Sequence, residues 1–425
     1  MNRFADTKVA TREGGIETLP EAPFLYVPLS AHRSHVARPV VQAGDRVLKH
    51  QVIARADDPC SAHVHAPVSG HVAGIREITE PDGTAIPVLM LRNDFEGACA
   101  ASPDVLQGDP PPEAIADLLT EAGLVGEGGA QFPTALKYRS AGQHASAFIV
   151  NGAECEPYLT ADYALMRERT DVLFEGIRLV NTLLRARDVV IVIEDHNRDL
   201  EAVFAPYLAQ ECYAGYRVQI LTEGYPQGSA RQVVLAVTGR ELAPSLHPSA
   251  EGFVVSNVGT VVAACRALKE RLPVVTRIVT VSGEGAGEGG NYDVPIGTPV
   301  GHLLGLHGVS PRRHTIVLGG PMMGRPVTDW TTPVAKGSGG ILVLPRESVT
   351  QENCIGCARC VEACPMRLMP LKYDEGWRRS DPGMLKRYRL DACIECGACE
   401  YSCPANVPLM ASIKAGKALI RGEKS

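Results

Sequence analysis

Thirteen cysteines are spread unevenly over 425 residues, and eight of them fall into two copies of one spacing. The copies are Cys354, Cys357, Cys360, Cys364-Pro365 and Cys393, Cys396, Cys399, Cys403-Pro404, each reading C-x2-C-x2-C-x3-C-P. Three thiolates two residues apart can cap one face of a [4Fe–4S] cube from a single tight loop, and the fourth ligand must come from elsewhere. A zinc ribbon uses paired C-x2-C steps with four ligands per ion, which leaves the third step and both Cys-Pro endings unexplained. Disulfides need an oxidising compartment, and no charged-then-apolar signal segment opens the sequence. The spacing therefore predicts two iron–sulfur clusters in a reducing compartment, there either to carry electrons or to hold a fold.

A second constellation lies upstream. Gly123-Leu-Val-Gly-Glu-Gly-Gly-Ala-Gln-Phe-Pro-Thr-Ala-Leu-Lys137 offers Gly126, Gly128 and Gly129, whose backbone N–H groups can close on a phosphate or a flavin edge, with Lys137 and a helix N-terminus supplying positive potential. A glycine loop alone is more often a turn. Its weight rises because Asn151-Gly-Ala-Glu-Cys-Glu-Pro157 follows the apolar run Phe148-Ile-Val150, and two carboxylates and an amide at a strand end need partners such as ribityl hydroxyls or a flavin N–H. The single cysteines Cys60, Cys99, Cys212 and Cys265 read as small apolar fillers.

The elements that must position these residues follow from periodicity. Residues 24–100 hold short Val-, Gly- and Pro-rich segments with turn signals at Gly44-Asp45, Gly70 and Asp82-Gly83, an all-β unit. After the Pro-rich linker Asp109–Pro112, apolar runs at 148–150, 189–193, 218–221 and 253–255 alternate with helical patterns, clearest over 164–184 and 259–272. Alternation of this kind predicts a doubly wound α/β domain that binds ligands at the carboxyl ends of its strands. In the tail, apolar positions 409, 410, 413 and 420 share one helical face beside Lys414, Lys417 and Arg421, which suits a cap on the cluster domain more than a membrane dock.

On these residues the chain resembles known families. Gly44-Asp45-Arg46-Val47 and His65-Ala66-Pro67-Val68-Ser69-Gly70 resemble the halves of a biotinyl/lipoyl-like barrel-sandwich hybrid. Its carrier lysine is missing, since Lys49 is the only lysine between Thr11 and Ala100, so a scaffold is expected. His63 and His65 on this unit read as surface or satisfied histidines rather than ligands. The glycine phrase and Asn151–Pro157 resemble the flavin site of the NADH-oxidising subunit of respiratory complex I. Ile278–Gly283, Tyr292–Gly297 and Val317–Pro321 resemble its SLBB β-grasp module. From Gly14-Gly15-Ile16 to the double cysteine run, the sequence is similar to the C subunits of the Rnf complex, an ion-translocating ferredoxin–NAD oxidoreductase.

That resemblance implies four units: a barrel-sandwich hybrid at 1–108, an FMN/NADH-binding α/β domain at 109–275, a β-grasp module at 276–345 and a ferredoxin-like helical domain with two [4Fe–4S] clusters at 346–425. The pattern of two-cluster ferredoxins sends each run's last Cys to the other cluster, pairing Cys354, Cys357 and Cys360 with Cys403, and Cys393, Cys396 and Cys399 with Cys364. FMN would be held by Gly126, Gly128, Gly129, Lys137, Asn151, Glu154 and Glu156, with Asn257 and Thr260 from Asn257-Val-Gly-Thr260, and Phe132 would stack on the nicotinamide. No catalytic residue is implied beyond the cofactors. Two departures bear on the nicotinamide pose: Glu127 stands where complex I has a basic residue, and Gly228-Ser229-Ala230 where it has Gly-Glu-Glu. Cys155 stands in the place of a serine and reads as a pocket-lining thiol.

The implied function is an NADH-oxidising or NAD-reducing subunit that exchanges electrons with the complex's iron–sulfur B subunit and membrane subunits, and through them with ferredoxin, at the cytoplasmic face of the bacterial inner membrane. A net charge of −6 and the lack of a basic run interleaved with aromatics argue against nucleic acid. The longest apolar stretch, Val189–Ile193, is far short of the roughly 18 residues a spanning helix needs. A freestanding flavoreductase with a soluble acceptor, or a flavin-free iron–sulfur adaptor, are the alternatives.

Overall fold

The four apolar runs of the central region become four parallel strands, Ala147–Gly152, Asp188–Glu194, Tyr216–Leu221 and Phe253–Asn257. The computed structural model describes residues 5–30, 35–79, 84–101, 108–142, 144–243, 246–310, 313–346 and 350–422. The turn expected at Asp82-Gly83 lies outside them. Ala147–Gly152 pairs with Asp188–Glu194 on one side and Phe253–Asn257 on the other, and Tyr216–Leu221 forms the far edge. Because strand side chains alternate, Phe148, Val150, Ile191 and Val254 face one way into a core with three helices, Pro112–Glu121, Thr170–Leu184 and Val258–Lys269. Ala147, Ile149, Val190 and Phe253 face the other way, under Val233 and Val234 of the helix Ala230–Thr238. Helices on both faces make this the expected doubly wound unit.

The helical pattern read over 164–184 is two helices, Ala161–Glu168 and Thr170–Leu184, because Arg169 (φ −122°, ψ 35°) leaves the helical region. Thr170–Leu184 and Val258–Lys269 touch at Gly176, where an added Cβ would sit 2.5 Å from the carbonyl oxygen of Val261.

Ahead of this unit, two antiparallel sheets enclose a core of Leu25, Val27, Val47, Ile53, Val64, Val72, Leu89 and Leu91. Gly70 is required there, since a Cβ would lie 2.0 Å from the carbonyl oxygen of Arg92. After the α/β unit comes a six-stranded mixed sheet crossed by the helix Val300–Leu306, which buries Val300, Leu303 and Leu304. The strand Ile16–Thr18 joins that sheet in parallel with Gly290–Pro295. This strand, from the span expected for the barrel, therefore pairs within the third sheet. Its register is held by the third sheet, and its own pattern is too short and exposed to reveal that.

The last unit is helical. Leu409, Ser412, Ile413 and Gly416 of the helix Leu409–Arg421 are buried on one face against the cluster domain, as a cap would be.

Replacing Gly176 by Val forces side-chain volume between two packed helices, at a cost of about 1–3 kcal/mol. Denaturant unfolding followed by circular dichroism is expected to show that loss, and an unchanged midpoint would mean that the helices can part without penalty.

Candidate functional site

Around the carboxyl ends of the parallel strands, the glycine loop closes on itself through the Gly126 N–H and the Phe132 carbonyl, 2.8 Å apart. It is then pinned to the start of the Val258–Lys269 helix. The Glu127 N–H donates to Thr260 Oγ1 at 2.9 Å, and Gly128 lies where a Cβ would touch Asn257 at 3.4 Å. Asn257 caps that helix by accepting the Gly259 N–H at 2.8 Å, and its Nδ2 donates to Asp162 at 2.5 Å. Gly129 has φ 101° and nothing within 4 Å of a Cβ position, so open space borders the loop there.

Glu127 is buried against Arg277, from the first strand of the following sheet, at 2.5 Å, and Arg277 also donates to the Glu127 carbonyl at 3.1 Å. Burial pushes the Glu127 carboxyl above its ordinary range and Arg277 pulls it back. Sequence reading missed Arg277, although an acid inside a glycine loop is a signal that a partner must exist. Gly259 has no side chain for the same reason: a Cβ would lie 2.5 Å from Glu127 Oε2 and 2.6 Å from an Arg277 nitrogen.

Lys137 is buried on the helix Thr134–Ala141 with its Nζ on the carbonyl of Val255 at 2.9 Å, and burial brings its ammonium down to about 8. A buried cation whose hydrogen-bond partner is a neutral carbonyl is a ready counter-charge for an anion. Two hydroxyls, Thr134 Oγ1 at the start of the Lys137 helix and Ser229 Oγ before the helix Ala230–Thr238, are buried without a hydrogen-bond partner among the described residues. Such donors suit a phosphorylated, polyhydroxylated ligand.

The Asn151–Pro157 turn is split in its contacts. Asn151 Nδ2 donates to the Gly228 carbonyl at 2.9 Å, and Cys155 Sγ accepts the Gly228 N–H at 3.3 Å. Glu154 accepts the N–H groups of Asp162 and Tyr163 at 3.1 and 3.3 Å, and burial with the Asp162 charge lifts its carboxyl to about 7. Glu156 points away to the next sheet, where it accepts the N–H groups of Met322 and Met323 at 3.0 and 2.8 Å. Phe132 stacks on His247 with centroids 5.9 Å apart. Burial raises the Cys155 thiol to about 12, so it is a packed thiol.

The eight C-terminal cysteines gather in two groups. Cys354, Cys357, Cys360 and Cys403 line one apolar hollow. Cys364, Cys393, Cys396 and Cys399 line another. Each group takes three cysteines from one run and the last from the other, and four thiols around an apolar space fit a cubane cluster. The second hollow abuts the α/β unit. Tyr225 donates its hydroxyl to the Cys396 carbonyl at 2.5 Å, and Cys155, Met322 and Ile394 pack against Tyr225 and Cys396. The first hollow opens outward, with Cys354 and Cys357 exposed and Ile355 68% exposed.

Among known protein families, the barrel-sandwich hybrid domain of RnfC matches residues 3–96, the Nuo51 FMN-binding domain matches 119–266 and a 4Fe-4S dicluster domain matches 353–407. The C subunit of the ion-translocating oxidoreductase complex of Rhodobacter capsulatus is 35% identical over 426 residues, covering 98% of this chain and 82% of the relative. The protein of that name from Haemophilus influenzae (strain 86-028NP) is 36% identical over 99% of this chain and 66% of its own length. The C subunit of the proton-translocating ferredoxin:NAD(+) oxidoreductase complex of Clostridium ljungdahlii is 34% identical over 86% of this chain and 81% of that protein. Among solved structures, the H2-reduced NAD+-reducing [NiFe]-hydrogenase has a chain with the same fold over 74% of this one and 63% of that chain, at a TM-score of 0.52 and 20% identity.

Replacing Arg277 by Met leaves Glu127 buried and unpaired, at a cost of about 3–5 kcal/mol. The native carboxyl then binds its proton more tightly than the unfolded one, so lowering the pH is expected to restore part of the loss. Thermal melts over a pH series check this, and a loss that does not shrink toward acid pH would sink the explanation.

With an FMN-binding domain and a 4Fe-4S dicluster domain in order along one polypeptide, the chain belongs to the RnfC family, the C subunits of ion-translocating oxidoreductase complexes.

Proposed function

We propose that this chain is the NADH-oxidising, NAD-reducing subunit of an Rnf complex, and that electrons pass between the crevice at the strand ends and the outside through the Cys393-run cluster first and the Cys354-run cluster second. The observation that carries this order is the packing of Tyr225 and Cys155 on Cys396, against the outward exposure of Cys354 and Cys357. Bound FMN supplies the exchange between a hydride and single electrons, and each [4Fe–4S] cluster carries one electron.

The chain's own groups bind, orient and exclude water. Lys137 and the N-terminus of the Val258–Lys269 helix supply positive potential for the FMN phosphate. Gly126, Gly128 and Gly129 let the loop backbone approach closely, while Asn257 and Thr260 fix that loop on the helix. Asn151 holds the turn after its strand against Gly228, and Glu154, whose carboxyl burial raises to about 7, would line the flavin site. Glu156 ties this turn to Met322 and Met323, and Met322 packs against Cys396. Phe132, stacked on His247, offers the aromatic face for the nicotinamide. Cys354, Cys357, Cys360 and Cys403 hold the outer cluster, and Cys364, Cys393, Cys396 and Cys399 the inner one.

The outer cluster would face the iron–sulfur B subunit and the membrane subunits, with ferredoxin reached through them. No helix of the described residues is long and apolar enough to cross a membrane. Peripheral attachment at the cytoplasmic face of the inner membrane is the reading that fits the family's place in a multisubunit complex.

Anaerobic NADH is expected to bleach one FMN per chain and then raise cluster signals in EPR. Clusters silent to NADH but reducible by dithionite would make the chain a conduit fed from elsewhere, and a chain that takes up no FMN on reconstitution would be a flavin-free adaptor. In Cys396→Ser, flavin bleaching should persist while the outer cluster, still reducible by dithionite, no longer responds to NADH. A normal response there would reverse the order of the clusters.

Lys137 adds a pH dependence. Its ammonium loses a proton near pH 8, so FMN affinity should fall as pH rises beyond that, by up to about tenfold per unit. Riboflavin, which lacks the phosphate, should bind without that slope, as should FMN to Lys137→Met. A slope that survives in Lys137→Met would remove Lys137 from the phosphate site.

A further inference from the structure

Lys8 belongs to no motif, yet its side chain is 3% exposed and its Nζ donates to the carbonyl oxygen of Glu154, just past the end of the central strand. It arrives on two short turns of helix, Ala5–Lys8 and Val9–Arg12, that are clamped across the crevice. Thr7 Oγ1 accepts the Tyr158 N–H at 3.1 Å, and Thr160 donates its hydroxyl to Thr11 at 2.8 Å. Arg12 donates to Asp199 at 2.6 Å and to the His196 carbonyl at 3.1 Å. This anchoring places a flexible side chain in one position.

The acids around Lys8 are many. Glu154, Glu156, Asp162 and Glu194 are all pushed upward by burial, and Lys8 is a positive charge that pulls each of them back. Glu194 is 1% exposed, and neither of its carboxylate oxygens has a hydrogen-bond partner among the described residues. Cys155 and His196 lie in the same field. Asp195, His196 and Glu223 bring ligand atoms within 4.8 Å of one another, but the charges of Lys8 and Arg12 already bear on His196 and argue against a metal ion there.

Reduction adds negative charge to a flavin. Buried carboxylates oppose that change and a buried ammonium favours it, and in a poorly solvated crevice both effects are much larger than in water. We propose that Lys8 is a positioning residue, delivered into the flavin crevice by the N-terminal segment, whose charge sets the redox poise of the flavin by offsetting Glu154, Asp162 and Glu194. This rests on the reading of the crevice as the FMN site.

The test is a redox titration of the FMN-loaded, cluster-containing chain. In Lys8→Met the ratio of reduced to oxidised flavin at a fixed poise should fall by about tenfold, equivalent to about 30 mV for a two-electron couple, and Lys8→Arg should stay near wild type. Glu194→Gln, which removes an acid facing Lys8, should move the ratio the other way. An unshifted potential in Lys8→Met would leave Lys8 a structural anchor and overturn the proposal. If Lys8→Met does not fold, Glu194→Gln decides alone, and no shift there overturns it equally. A flavin-free readout separates this inference from the function itself: infrared spectra of the apo-flavin chain at neutral pH should show more protonated carboxyl in Lys8→Met than in wild type. Were the chain to take up no FMN, the function would fail while that spectrum still reported whether Lys8 governs these acids.

Discussion

The site is built around one buried ion pair between units. Glu127 cannot reach water, because its loop is closed from inside by the Gly126–Phe132 hydrogen bond and from outside by the helix that Asn257 caps. A carboxylate so enclosed is tolerable only with a partner, and Arg277 comes from a different sheet to provide it. The pair therefore makes the glycine loop's shape conditional on the docking of the third sheet against the α/β unit. Gly259 follows from this arrangement, since a side chain there would press on the pair.

A second tie runs the same way. Glu156 leaves the strand-end crevice to accept two backbone N–H groups at Met322 and Met323, and Gly320 is bare because a Cβ would collide with that carboxylate at 2.2 Å. The Met322 carbonyl in turn lies 2.6 Å from a Cβ position on Gly397, inside the Cys393 run. One short loop of the third sheet thus touches the turn after the central strand on one side and the inner cluster's cysteine loop on the other. Rigid packing of this kind, rather than a tether, sets the separation of two redox centres, and it explains why a module without chemistry of its own stands between them.

What the sequence made legible was local. The cysteine spacing, the four apolar runs and the helix Leu409–Arg421 are decided within a few residues of one another, so pattern and propensity suffice. The cross-pairing of Cys364 and Cys403 came from the resemblance alone, and the two hollows group the cysteines in the same way. What stayed hidden depends on tertiary placement. Arg277, Lys8 and Tyr225 sit in stretches with no motif, and their roles appear only when distant segments meet. Ile16–Thr18 has too few residues to show a period, and the break at Arg169 is a backbone choice that an apolar pattern running through it conceals. Glu156 was grouped with Glu154 by adjacency, yet two residues along a turn are enough to face different units.

The C-terminal helix shows how charge and burial settle a choice that periodicity alone leaves open. A basic amphipathic helix can lie on a membrane or pack on protein. Here the apolar residues are used inward: Leu409 and Ile413 are buried, and Met410, Leu419 and Ile420 pack against the cluster core. Lys417 does not point to solvent for anionic headgroups, since its Nζ holds the Cys393 carbonyl at 2.7 Å and Glu395 at 2.5 Å. Lys417 thereby ties the helix to the inner cysteine loop, with Glu395 as its counter-charge. With its apolar face already covered, it has little left to insert into a bilayer. Association with a membrane assembly would then run through contacts with other proteins, and the outward-facing Cys354 loop is where such a contact would shorten the path for an electron.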